Sequence, residues 1–141
     1  EYLLKRKPTC RVLGTDFSKV AVDNAKKRIP NAEFADIDVY NMSDYKSMIE
    51  RFDYANCFEV IEHLDRPDLL IKGIYNILKP GGYLILTTPY MNLVHAEEEH
   101  IHSFNFQDMI DFFKKPEWDL ITLTRYYNNI NMYVLVQKEY V

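Results

Sequence analysis

The stretch Leu78-Lys79-Pro80-Gly81-Gly82-Tyr83-Leu84-Ile85-Leu86-Thr87-Thr88 decides how the chain folds. Its first half stops a helix: Pro80 has no N–H to donate, and Gly81 and Gly82 bring no side chain to hold a helical turn. Its second half, Tyr83 to Thr88, is a compact apolar run of strand length. Runs of this kind belong to strands covered on both faces, as in a parallel sheet. Upstream of the stop, Leu70, Ile74, Ile77 and Leu78 give an apolar stripe behind Pro67, which a first helical turn tolerates. Before that helix, residues 53 to 59 read as the preceding strand.

Working outward, the same alternation extends to both ends. Cys10 to Asp16 reads as a short strand ending in an acid, and Ser18 as the N-cap of a helix with Val22, Ala25 and Ile29 on one face. Asp23 near its start and Lys26, Lys27 and Arg28 near its end suit the helix dipole, and Pro30 ends it. Ala32 to Ile37 reads as a strand, and Ser43 as the cap of a short helix carrying Met48, Ile49 and Phe52. Beyond the central stretch come a polar loop from Pro89 to Ser103 and a helix from Asn105 to about Lys115. Two β-rich runs, 118–126 and 130–138, close the chain, with Asn128-Asn129 as a hairpin turn. Strands separated by helices imply right-handed crossovers and an α/β fold with a mostly parallel sheet, to which the hairpin adds antiparallel strands. Ligands of such sheets bind beyond the carboxyl ends of the strands, so Asp16, Asp38, Cys57 to His63, and Thr88 onward are the positions to inspect.

Composition narrows the function classes. The chain has 141 residues, enough for one domain with a buried core, and 17 basic against 21 acidic side chains give a net charge of −4. That balance argues against a dedicated nucleic-acid binder. No apolar run approaches the roughly 20 residues that span a bilayer. The two cysteines, Cys10 and Cys57, form neither a disulfide framework nor a zinc pair, so a cytoplasmic location is expected. The chain begins with Glu1 rather than Met, and a partial sequence is expected.

On chemistry alone, Asp16 at a strand end before a capped helix can accept hydrogen bonds from the two adjacent hydroxyls of a ribose; the bland alternative is a solvated loop acid. Phe17 can stack on a base or pack as a hydrophobic staple. Asp36 and Asp38 alternate at the end of the second strand, where one can face a purine amino group. His63, His100 and His102 are candidate bases, because histidine titrates near neutrality; His63 has packing at a helix start as its alternative. Glu59, Glu62 and His63, spaced i, i+3, i+4, can converge on a divalent cation.

Taken together, several blocks resemble the class I S-adenosylmethionine-dependent methyltransferases, small-molecule type. Leu13-Gly14-Thr15-Asp16-Phe17-Ser18, then Ala25-Lys26-Lys27-Arg28, is similar to that family's second strand and following helix. Phe52-Asp53 through Cys57-Phe58-Glu59-Val60-Ile61-Glu62-His63-Leu64 is similar to its fourth-strand block, and Leu78 through Leu86 to its turn and fifth strand. His100-Ile101-His102-Ser103-Phe104 resembles a His-x-His-x-Phe segment common in its small-molecule members. The resemblance implies a single Rossmann-like, doubly wound methyltransferase domain over 1–141 with S-adenosylmethionine as cofactor. Asp16 would bind the ribose hydroxyls, Phe17 would flank the adenine, Asp38 would face its amino group and Val39 would offer an N–H. Cys57 and Phe58 would lie against the methionine portion, and His63 and His102 are the candidate catalytic bases.

No Gly-x-Gly precedes Asp16, and residues 1 to 9 resemble the tail of the helix after the family's glycine-rich loop. The domain is therefore expected to lack its first strand. Its second and fourth strands would then pair directly, or an exposed sheet edge would support self-association. The expected acceptor is a small molecule, with no membrane and no nucleic acid as partner. Two alternatives stand beside this. One is a degenerate, non-catalytic binding module. The other is a metal-assisted 2′-O-methyltransferase of RNA using Glu59, Glu62, His63 and His102, because a similar Glu-x-x-Glu-His occurs there and in some quinone O-methyltransferases. No metal ligand is assigned from the sequence.

Overall fold

The computed structural model describes residues 2–91, 100–114, 116–126 and 130–140, and over these the alternation of strands and helices is present. The residues form two units, 1–42 and 43–141. The first holds α1 (Tyr2–Arg6), β1 (Leu13–Asp16), α2 (Lys19–Arg28) and β2 (Glu33–Asp36). Ser18 caps α2 as expected, its hydroxyl accepting from Ala21 N–H at 3.3 Å, and Val22 is the buried residue of that helix. β1 and β2 run parallel, from Leu13 opposite Glu33 to Asp16 opposite Asp36. This crossover needs a bare backbone at Gly14, where an added Cβ would stand 2.6 Å from the Phe34 ring. β1 starts at Leu13 rather than Cys10, because its partner strand offers only Glu33 to Asp36.

The short α-helix expected at Ser43 is absent. Two 3-10 turns, Val39–Asp44 and Lys46–Met48, take its place, and the Ser43 side chain lies outside the description. Short polar side chains there compete for backbone groups, as when Asp38 Oδ1 accepts from Tyr40 N–H at 2.9 Å. Glu50 then adopts a left-handed backbone (φ 49°), and the N–H groups of Glu50 and Arg51 are drawn to Asn76 O and Ile77 O.

The second unit contains β3 (Phe52–Phe58), α3 (Pro67–Ile77), β4 (Leu78–Pro89), α4 (Phe106–Phe113), β5 (Trp118–Tyr126) and β6 (Asn131–Lys138). Its sheet has the order β3-β4-β6-β5, with β3 parallel to β4 and the β4-β6 and β5-β6 pairs antiparallel. The α/β class with parallel strands and a C-terminal antiparallel pair is thus as the sequence implies. The Asn128-Asn129 turn lies outside the described residues. β1 has β2 as its one strand partner and β3 has β4, among the described residues, in place of the direct pairing expected between them.

Leu78 already pairs with Phe52, and the next partners are Tyr54 and Tyr83, so the Lys79–Gly82 segment bulges inside β4 instead of preceding it. Gly81 (φ 76°) makes that bulge; a side chain there would collide with the Tyr140 ring. Leu84, Leu86, Met132, Val134 and Val136 are fully buried from the sheet, as is Met109 from α4, while α3 contributes Leu70 and Ile74. Each such side chain contributes about 1.5–3 kcal/mol by leaving water. α3 ends on an unexpected partner: Lys138, only 4% exposed, donates its Nζ to Tyr75 O (3.1 Å) and Leu78 O (2.8 Å). Those carbonyls at the helix end have no intrahelical donor, and a cation suits that pole of the dipole. No helix of the described residues is long and apolar enough to cross a membrane.

Candidate functional site

In the first unit, the strand-end acids are where the sequence puts them. Asp16 closes β1 with its side chain exposed; Oδ1 accepts from Ser18 N–H at 2.8 Å, and its carbonyl accepts from Ile37 N–H at 3.0 Å. Phe17, beside it, is 85% exposed. Asp38 lies just past β2 and opens the turn that contains Val39. All four positions therefore sit at the carboxyl ends of two adjacent parallel strands, as a ligand site in an open α/β sheet requires.

In the second unit, Cys57 and Phe58 point to opposite faces of β3: Cys57 is buried, Phe58 is half exposed. Burial, with the nearby Glu62 charge adding to it, pushes the Cys57 thiol up to about 12, so it stays protonated and unreactive near neutral pH. Glu59 follows in the left-handed backbone region (φ 52°), its N–H bonded to Thr87 O at 3.0 Å. Only Ile61–His63 is helical, as a 3-10 turn, so Glu59 does not share a helical face with Glu62 and His63. That expectation fails because Glu59 is still tied to the end of β4.

Glu62 is 1% exposed. Its Oε2 accepts from Thr88 Oγ1 at 3.1 Å, and its Oε1 lies buried without a hydrogen bond, 3.9 Å from His63 Nε2. Burial raises its pKa above the usual carboxylate range, assisted by the Glu59 charge and opposed by the Thr88 hydrogen bond and by His63. Its backbone carbonyl accepts from both Ile101 and His102 N–H, at 3.0 and 3.1 Å. This clamp brings His100 edge-on to His63, with ring centroids 4.7 Å apart. His102 turns instead toward Phe104, 5.4 Å away, with a buried Nε2 that makes no hydrogen bond. The structure thus groups Glu62, His63 and His100, leaving Glu59 and His102 outside. The chemistry of histidine marks His100 as a candidate base but not as the neighbour of Glu62. The backbone bonds that put it there have no periodic signature.

A family described as "Methyltransferase domain" matches residues 1–84. A ubiquinone biosynthesis O-methyltransferase of Coxiella burnetii is 33% identical over 81 residues, which are 55% of this chain and 33% of that protein. The matched part of the chain thus spans about a third of that relative's length. Among solved structures, the [4+2]-cyclase SpnF superposes with a TM-score of 0.79 at 13% identity, over 99% of this chain and 71% of its own. The 1,6-didemethyltoxoflavin-N1-methyltransferase of Burkholderia thailandensis, solved with S-adenosylhomocysteine, gives 0.74 at 15% identity, over 98% of this chain and 64% of its own. These two likenesses establish the fold; with a cyclase beside a methyltransferase, the fold does not select the reaction.

Proposed function

The chain belongs to the S-adenosylmethionine-dependent class I methyltransferase family, and we propose that it transfers a methyl group to an oxygen, nitrogen or carbon atom of a small-molecule acceptor. S-adenosylmethionine, when bound, supplies an electrophilic sulfonium methyl with a good leaving group. The observation that supports this reading most is the exposed Asp16 carboxylate at the carboxyl end of β1, held in place by Ser18 N–H. An acceptor-only group fixed at one oxygen suits the two adjacent ribose hydroxyl donors. The exposed Phe17 ring offers a face to the adenine, Asp38 takes its amino group and Val39 adds a backbone N–H. Cys57 and Phe58 flank the methionine portion.

In-line displacement asks mainly for positioning, which supplies roughly 7–11 kcal/mol. Where the acceptor must lose a proton, His63 and His102 are the groups to take it. The whole forms one methyltransferase domain. Incubation with methyl-labelled S-adenosylmethionine and a panel of phenols, amines and activated carbon acids tests this. Label should pass to at least one acceptor, and Asp16→Ala should cut the transfer at least tenfold at limiting cofactor. A protein that neither binds the cofactor nor labels any acceptor contradicts the proposal.

A further inference from the structure

We propose that Arg125 anchors a carboxylate of the methyl acceptor, which makes the acceptor an organic acid. This deepens the methyl-transfer reading and rests on it. β5 runs in the same direction as β3 and β4, because β6, which lies between β4 and β5, is antiparallel to both. Arg125, one residue before the end of β5, therefore stands at the carboxyl end of the sheet, where ligands of such folds bind. The register also fixes its face. Arg125 lies opposite Met132, and Met132 lies opposite Thr88. Directly opposed residues point to one face, so Arg125 shares its face with Thr88, whose hydroxyl donates to Glu62 beside His63. Two strand spacings of about 4.8 Å put the backbones of Thr88 and Arg125 about 10 Å apart.

The guanidinium is held in place without being used up. Its central carbon lies 4.6 Å from the centre of the Tyr90 ring, and Phe106 braces Tyr90 edge-on at 5.5 Å. A guanidinium set over a ring spends its face there and keeps the N–H groups of its edge for a planar acceptor. Arg11 and Arg66, also exposed, each reach a carboxylate, Glu33 at 3.2 Å and Asp68 at 2.6 Å. Arg125 is exposed and makes no ion pair among the described residues. An oriented and uncommitted fork of donors matches a carboxylate, which it holds through two parallel hydrogen bonds. A net charge of −4 supplies no basic background that would draw a polyanion instead.

Calorimetric titration of 3,4-dihydroxybenzoate and of its methyl ester into the cofactor-free protein tests the anchor apart from methyl transfer. The acid should bind at least tenfold more tightly than the ester. Arg125→Gln should shrink that preference below twofold, with circular dichroism and S-adenosylhomocysteine affinity unchanged. Arg125→Lys, which keeps the charge but loses the fork, should recover only part of the preference. In the labelling assay, Arg125→Gln should raise KM for acids at least tenfold and leave kcat within twofold. Equal binding of acid and ester, or equal loss of both in Arg125→Gln, would overturn the anchor. Transfer to neutral acceptors alone, unchanged in Arg125→Gln, would overturn it too, while methyl transfer itself would stand. Acid binding that requires Arg125, in a protein that labels no acceptor, would count against methyl transfer and not against the anion contact.

Discussion

Asp16 and Glu62 are both carboxylates at or just beyond the carboxyl end of a parallel strand, yet they live in different physical worlds. Asp16 is exposed, and its fixed partner is the backbone N–H two residues on. Glu62 is 1% exposed, and its partners come from the end of β4 and from the 101–102 backbone. A carboxylate of the first kind stays hydrated and open to a ligand. One of the second kind is desolvated, which raises its pKa, and it needs neighbours to be tolerated at all. The first lies open to solvent; the second is packed inside its own unit.

If the second unit is the more deeply packed, its core should react most to truncation. Leu86→Ala removes a fully buried side chain from β4 and should cost about 2–5 kcal/mol in urea unfolding. A loss under 1 kcal/mol would mean that this sheet is loosely packed. Lys138→Ala should cost somewhat less, about 1–3 kcal/mol, because Tyr75 O and Leu78 O lose their donor. Lys138→Arg, which keeps charge and donors, should recover part of it.

The two cysteines sharpen the same comparison without a stability measurement. Cys10, half-buried in the first unit, should react with iodoacetamide in the folded protein, whereas Cys57 should not. With a pKa of about 12, the Cys57 thiolate is about one part in ten thousand at pH 8. Its share grows tenfold per pH unit and stays a minority until the pH passes that value. Mass spectrometry should find one adduct in buffer and two in urea. Equal labelling of both in the folded state would show that the end of β3 is open.

The contrast also explains what was legible in the sequence. Ser18 and Asp16 act through neighbours a few residues away, so their places are legible from spacing; the bulge that Lys79–Gly82 makes inside β4 is not, because it depends on β3 and on Tyr140. The antiparallel strands β5 and β6 are legible as the β-rich runs 118–126 and 130–138, because each run pairs with the other close by in the chain. Glu62, His100 and Lys138 depend on contacts between distant segments. An isolated Lys near the end of a strand looks solvated until the helix end that it caps is seen, and a left-handed Glu59 cannot be read from its neighbours. The Ser43 helix failed for a related reason: the ends of α3 and of the 3-10 turn compete for the same chain.

The most direct test of the central claim is calorimetric titration of S-adenosylhomocysteine into the intact protein, its Asp16→Ala variant and its Asp23→Ala variant. Asp23 pairs with Lys19 on the surface of α2, at 3.6 Å, so its removal should change stability by less than about 0.5 kcal/mol and leave binding as it was. If Asp16 accepts from both ribose hydroxyls, its charge-assisted bonds are worth about 1.5–3 kcal/mol each. Asp16→Ala should then weaken binding at least tenfold, since about 1.4 kcal/mol is one decade, with the fold intact. Equal, negligible losses from both changes would make Asp16 an ordinary loop acid and contradict the cofactor site proposed here.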